Sequence, residues 1–437
     1  MENNEFEYKN SYTGIFSLNY FTQGIYTSIF TMVIPVYLLT TYGEINQAAL
    51  AFMLSIILFP ATIKIIYGIL TDKTKTRKLG RRKPWIIIPD GIAGIVWIII
   101  AFMIPATFDA AISLFTITGI IVSFGIYISD TALDGFILDI CPKNQLGRTQ
   151  GFCWGLRAIG IIVGGPIILL FLIIVPIQAI FISLGIMMLL FPAFTLLIKD
   201  IEVPKIEGVG KALKIIFKKT ENWKMFLYSF FMQIVGGIVY TFLALYILIK
   251  AGYIDPKGAT LSSLDISLYE PQALITLIIS LGIIIGAILG GIVADKISRR
   301  AAVFSSMGLN TISLLLLLVP APIPVLIFFA FLVGLASGWI FSAFSAVAAE
   351  YSKQYPEYTS TYFSICVSFI NFGTVLGMVL TGITFNILSR TTSDTLMIYG
   401  TIFIFMIILE SIALIPFIML NREIYEYKLG KEEVIKV

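Results

Sequence analysis

Twelve long apolar runs constrain this chain more than any other feature. A bilayer core needs about 20 consecutive apolar residues per helix. Runs of that kind fall at roughly 15–40, 46–70, 85–105, 111–139, 148–174, 178–198, 224–249, 272–293, 301–320, 324–349, 359–386 and 396–420. Hydrocarbon offers no partner to a bare N–H or C=O, so such runs must close their hydrogen bonds internally, as helices. Composition agrees: 58% of the residues are hydrophobic and only 13% are charged, against about 25% in soluble proteins.

The charge that remains is concentrated. Gly68–Trp85 reads GILTDKTKTRKLGRRKPW, with seven Lys or Arg and one carboxylate, Asp72. Between spans 2 and 3 it predicts a tight cytoplasmic hairpin, because basic residues are retained on that side. The same opening, G-I-x-x-D-K, returns between spans 8 and 9 as GIVADKISRR, Gly291–Arg300. Two copies 223 residues apart point to two homologous halves. The expected fold is an all-α integral membrane protein of twelve transmembrane helices in two pseudo-symmetric six-helix bundles. Residues 1–198 form the first bundle, 199–223 a central cytoplasmic loop, 224–420 the second bundle and 421–437 a solvated tail. Within the central loop, Leu213, Ile216 and Phe217 share one side and lysines the other, which predicts a short helix on the anionic inner leaflet. The long external segment from Lys250 to Pro271 is expected to lie over the second half. Both termini are expected in the cytoplasm, in the plasma membrane, and the acidic start MENNEFEYKN lacks the basic and apolar regions of a cleaved signal.

Several function classes lose support here. The basic residues flank membrane spans, which argues against nucleic-acid binding. Cys141, Cys153 and Cys366 are far apart, with no C-x-x-C pair, so neither a metal nor a disulfide is predicted. There is no histidine, and proton chemistry would have to run on carboxylates. No nucleophile–base pair or phosphate loop suggests an enzyme.

Charges inside the apolar runs carry the functional signal. Span 2 holds Lys64, span 4 holds Asp130 and Asp134, and span 5 holds Arg157. Each costs roughly 2.5–3.5 kcal/mol at a helix centre, so they are expected to pair and to face a wet cavity. Asp130 precedes Asp139 by nine residues, which puts it about 14 Å inside at 1.5 Å per residue. Arg157 follows Arg148 by the same count. Asp130 and Asp134 share a helix face with Tyr127, as Arg157 does with Trp154 and Gln150. The group is read as a substrate and coupling-ion site, the competing reading being a neutral quartet that only pins helices together. Asp139 and Glu350, at the ends of spans 4 and 10, are read as gate anchors for Arg148 and the basic hairpins. Gly68 and Gly291 would admit close helix approach, and Asp72 and Asp295 would cap neighbouring helix ends, with Arg81, Arg82, Arg299 and Arg300 completing the gate. Glu410 in span 12 would face a neighbouring helix. Trp339, Phe341, Asn371, Gln233 and Tyr240 are expected on the opposite cavity wall.

Two six-helix halves with Gly/Asp/Arg hairpins after the second and eighth spans resemble the major facilitator superfamily over nearly the whole chain. The form D-K-T-K-T-R-x-x-G-R-R-K-P-W, Asp72–Trp85, is similar to the glycoside–pentoside–hexuronide cation symporters, the melibiose-permease group, and more loosely to plant sucrose symporters. That resemblance implies a sugar or glycoside substrate, with Asp130 accepting its hydroxyls, Arg157 donating to them and Trp154 or Trp339 stacking on its apolar face. Departures are informative. Pro60 and Lys64 stand where the family's two sodium-binding aspartates of span 2 would be, and Asn371 replaces a lysine of span 11. The expected coupling ion is therefore a proton on Asp130 or Asp134 rather than sodium, with no cofactor. The chain is expected to be a monomeric symporter working by alternating access. The alternatives are an organic-anion carrier using Lys64 and Arg157, and a transporter-like assembly factor that moves nothing.

Overall fold

A computed structural model describes residues 8–43, 46–73, 76, 79–199, 209–254, 266–355 and 359–426, with the side chains of 72–73, 143–148, 150–151, 209, 211–212, 240, 266 and 359–360 excepted. Eleven helices are long and apolar enough to cross a bilayer unbroken: Asn10–Tyr42, Gln47–Thr71, Lys83–Phe102, Phe108–Ile140, Phe152–Phe171, Ile177–Leu197, Tyr269–Lys296, Arg299–Leu318, Ile323–Ser352, Thr361–Leu388 and Thr395–Ile418. They are spans 1–6 and 8–12. Taken as one span, Thr220–Val239 and Thr241–Lys250, bent by 43° between them, make the twelfth, span 7, which also carries a short turn at 233–235 between the α-helical stretches Thr220–Met232 and Gly236–Lys250.

Glycine contacts set how the spans lie. In lipid the hydrophobic effect does not drive helices together, so close backbone approach at small residues does much of the work. A Cβ on Gly286 of span 8 would stand 1.9 Å from the Leu335 carbonyl oxygen of span 10, and one on Gly338 equally close to the Ile283 oxygen. A Cβ on Gly24 of span 1 would stand 2.2 Å from the Arg157 carbonyl oxygen, so span 1 is seated directly on the turn that carries Arg157. The hairpin glycines behave differently from expectation. Gly291 is tight, with Ser342 Oγ 3.2 Å from an added Cβ, but Gly68 is not, its nearest neighbour being Thr131 Cγ2 at 3.9 Å.

The apolar core shows how the bundles meet. Away from the hairpins a single buried cluster joins both, containing Ile29, Leu54 and Trp97 of the first and Val239, Ile279 and Phe385 of the second. Toward the hairpins it divides. One cluster there belongs to the first bundle, around Phe16, Leu133 and Phe136, and another to the second, around Phe226, Phe344 and Tyr351. On the joined face Thr40 Oγ1 and Tyr269 OH of spans 1 and 8 are 2.7 Å apart, and the Phe52 ring of span 2 lies against Gly382 of span 11. The bundles thus share one core on the face away from the hairpins and keep separate cores on the hairpin side, where Ile65 of span 2 packs against that of the second bundle.

Two peripheral segments depart from expectation. The helix Val209–Lys218 turns Ile216 fully inward, with Leu213 and Phe217, onto the second bundle's core. The bundle offered an apolar surface to the same side chains. The tail is docked at its start: Tyr425 is buried, and Glu426 accepts hydrogen bonds from Ser298 Oγ at 2.6 Å and from the Arg299 and Arg300 amides. The external residues 255–265, with Asp255, Lys257 and Asp265, lie outside the described residues.

Candidate functional site

The helix that carries Lys64 is prepared by Pro60. Proline has no N–H and cannot continue an α-helical ladder, and Phe59–Ile63 forms a tighter 3-10 segment. Its loosened carbonyls find other donors. Tyr67 OH donates to the Pro60 oxygen at 3.0 Å, and Asn371 Nδ2 of span 11 donates to the Ala61 oxygen at 3.0 Å. Lys64 is the next residue, the first of the resumed helix.

Lys64, Asp130 and Arg157 meet. The Lys64 ammonium donates to Asp130 Oδ2, and Arg157 Nη1 lies 3.5 Å from Asp130 Oδ1. Asp130 is 2% exposed, Lys64 15% and Arg157 17%, so the carboxylate is the sealed centre and the cations keep the greater exposure. Arg157 Nη1 also contacts Gln23 Oε1 of span 1 at 3.4 Å. Asp134 is held otherwise than the quartet predicted: its Oδ1 accepts from Tyr20 OH, a buried phenol of span 1. Aromatic faces complete the group. Lys64 Nζ is 5.7 Å from the centroid of Tyr127, and the Arg157 guanidinium is 5.1 Å from that of the half-exposed Trp154, which meets Tyr20 edge to face. Cation–π contacts of this kind contribute about 0.5–2 kcal/mol, more where water is excluded.

Three further contributors lie outside the expected group. Gln23 and Tyr20 are uncharged residues in an apolar run, and nothing local marks them. Asp90 of span 3 had a signal, a carboxylate inside the apolar run after Pro89. It is 7% exposed and accepts from Ser129 Oγ at 2.6 Å, one residue from Asp130, with no cation paired to it among the described residues.

The other expected site residues are dispersed. Trp339 packs over Gly290 of span 8, where an added Cβ would stand 2.8 Å from its ring, and its indole N–H has no hydrogen-bond partner. That places it in the span 8–span 10 contact, apart from the charged group. Asn371 ties span 11 to span 2, as above, instead of presenting its amide to a cavity. Phe341 is 39% exposed. The Tyr240 and Gln150 side chains are outside the described set.

The hairpin charges close within each bundle. Asp139 Oδ2 accepts from Arg81 at 2.7 Å and Arg82 at 2.9 Å, and Arg82 also donates to Thr71. In the second bundle Arg299 donates to Glu350 at 2.7 Å, joined by Lys353 at 3.0 Å. No salt bridge among the described residues crosses between bundles. Asp295 is exposed and caps nothing; span 9 begins instead on Ser298, whose Oγ accepts from the Ala301 amide, and on Glu426. Arg300 stacks on Phe304 at 5.7 Å. The Asp72 and Arg148 side chains lie outside the described set.

A sequence profile of the Major Facilitator Superfamily matches residues 16–270 and 259–434. The chain belongs to that superfamily. Comparison with curated protein sequences finds no match. Solved structures of the superfamily share the fold at low identity. The nucleoside transporter NupG superposes with a TM-score of 0.68 at 14% identity, covering 94% of this chain and 99% of its own. A D-xylose-proton symporter gives 0.65 at 18%, covering 94% and 97%. A bacterial homologue of the human lysosomal transporter Spinster, inward-facing and unoccupied, gives 0.65 at 14%, covering 95% and 96%. Superfamily and fold make this an integral membrane transporter of small solutes, not an enzyme.

Proposed function

We propose that this superfamily member is a monomeric proton-coupled symporter of a sugar or glycoside, of the melibiose-permease-like group, in the plasma membrane with both termini cytoplasmic. The observation that carries the reading is the sealed Asp130 between Lys64 and Arg157, drawn from three spans and flanked by Tyr127 and Trp154. A carboxylate accepts two sugar hydroxyls, a guanidinium donates two parallel N–H bonds, and an indole beside them receives the apolar face of a pyranose. The D-xylose-proton symporter among the solved neighbours adds weight to the substrate class, as fold likeness only.

In the mechanism proposed, solute and proton reach the group from the hairpin face. Protonating Asp130 weakens its hold on Lys64 and Arg157, or protonating Asp134 alters its bond with Tyr20; solute takes the freed hydrogen bonds, and the bundles rock to open the opposite face. The Lys64 substitution in span 2 supports proton over sodium at this site. Uptake of labelled sugars into proteoliposomes tests the reading. Inward transport should follow an imposed proton gradient, vanish in Asp130→Asn, and collapse with an uncoupler. Uptake indifferent to all three would sink it.

One observation favours a second reading. Asp134 is engaged by Tyr20, which leaves two cations on one close carboxylate, an arrangement that would also receive an organic anion. Competition separates the two: sugars compete in the first case, small carboxylates or phosphates in the second. A chain that moves no solute at all would point to an assembly role.

A further inference from the structure

We infer that the second bundle holds a site for a small monovalent cation of sodium's class, built on Glu410, Asn310, Gln233 and Ser337. It is separate from the charged group of the first bundle, and does not rest on the sugar reading.

The four residues come from spans 12, 9, 7 and 10 and line one crevice in the middle of the bundle. Glu410 is 2% exposed and Asn310 1%. No cation pairs with Glu410 among the described residues. Its one hydrogen bond is from Asn310 Nδ2 to Oε2, at 2.7 Å. That bond fixes the amide: with nitrogen turned to the carboxylate, oxygen turns away, and Asn310 Oδ1 is buried with no hydrogen-bond partner. A buried acceptor left without a donor is costly, and a buried carboxylate without a counter-charge more so.

Span 7 supplies Gln233, from the turn at 233–235, to the crevice: its side chain folds back so that a Cβ on Gly236 would stand 2.1 Å from its Nε2. The carbonyls of the turn are engaged, that of Phe231 by the Ile234 amide and that of Gln233 by the Gly236 amide and Thr374 Oγ1, so the contribution of span 7 is the Gln233 side chain. Ser337 Oγ donates to the Val333 oxygen at 2.9 Å, and its lone pairs remain for a ligand.

The donor set selects the occupant. Oxygens of carboxylate, amide and hydroxyl type suit hard cations. A single carboxylate balances one positive charge, so a monovalent ion leaves the site neutral and a divalent one would not. A proton on Glu410 would make the carboxyl a donor, and Asn310, its amide turned round, would accept from it; dependence on the alkali ion, read against pH, separates that occupant from a cation held between the two groups.

The full chain, purified in detergent, tests this by thermal unfolding in sodium, lithium, potassium and N-methylglucamine chlorides at equal ionic strength and pH. At least one alkali chloride should raise Tm by about 3 °C or more over N-methylglucamine, as binding to the native state alone requires. Asp130→Asn should keep the shift, Glu410→Gln should lose it, and Asn310→Ala should at least halve it. Radiolabelled sodium should bind wild type and not Glu410→Gln. If Glu410→Gln does not fold, Asn310→Ala and Ser337→Ala give the same reading. The inference is overturned if wild type responds to no alkali cation, if Glu410→Gln keeps the shift, or if Tm follows pH identically in every chloride, which would mean a proton. Loss of sugar uptake with the cation shift intact would break the transport reading alone.

Discussion

The two bundles repeat a hairpin but not a centre. On the hairpin face the match is close: Arg81 and Arg82 hold Asp139, and Arg299 holds Glu350. At mid-depth the likeness ends. The first bundle gathers Lys64, Asp130, Asp134, Arg157 and Asp90 within its spans, while among the described residues the second buries one carboxylate, Glu410, against an amide. A duplicated scaffold thus keeps in both halves what its movement needs, and concentrates in one half the charge that would recognise solute. The contrast is also energetic. Two cations share Asp130, so removing it strands both, whereas Glu410 has a neutral partner.

The largest effect expected tests that difference. Asp130→Ala should abolish uptake and cost about 3–5 kcal/mol of stability, the range for breaking a buried ion pair by removing one partner. Glu410→Ala, measured by the same unfolding in sodium-free buffer, should cost about 1–3 kcal/mol, the scale of one buried polar group left unsatisfied. Equal losses would mean the centres are not different in kind.

Charge exchange sharpens the point. In a cycle of Lys64→Asp, Asp130→Lys and the double variant, the double should recover about 1–3 kcal/mol relative to the sum of the singles. Additive losses would deny the pairing its energetic meaning. On the gates, where the halves agree, Arg82→Ala and Arg299→Ala should each cost about 1.5–3 kcal/mol, since each releases a charge-assisted bond to a carboxylate, Arg82 giving up its bond to Thr71 as well. A loss confined to one half would break the symmetry there.

The smallest effects compare two tryptophans. Trp339→Phe removes an indole N–H that has no partner and should leave stability within about 0.5 kcal/mol and uptake unchanged. Trp154→Phe should raise the sugar KM by about tenfold, since it weakens the cation–π contact with Arg157 and the stacking surface. Reversal of that order would move the solute to the second bundle.

Much of this was legible beforehand. A carboxylate or ammonium in an apolar run is conspicuous, and Lys64, Asp130, Asp134 and Arg157 stand out for that reason. Asp90 was equally visible and passed over. Tyr20 and Gln23 were invisible, because a phenol or amide in a membrane helix has many uses and the run around it looks no different. Asn371 and Trp339 were placed by polarity and ring type, which do not say where a side chain points. Asn371 went to a carbonyl loosened by Pro60, and Trp339 over Gly290, because those surfaces lay nearest once the helices had packed.

Hydropathy and charge along the chain determined twelve spans, their pairing into halves and the mirrored hairpins. Each follows from a rule that acts locally, the cost of putting a polar group into hydrocarbon. Only the tertiary structure decided that Lys64 and Arg157 share Asp130, that Tyr20 takes Asp134, that the turn of span 7 lies beside Glu410 and that the bundles share one core only on the face away from the hairpins. Those outcomes depend on helix rotation and tilt, set by close contacts such as Gly24 on Arg157 and Gly286 on Leu335, between residues too far apart along the chain for any local pattern to couple them.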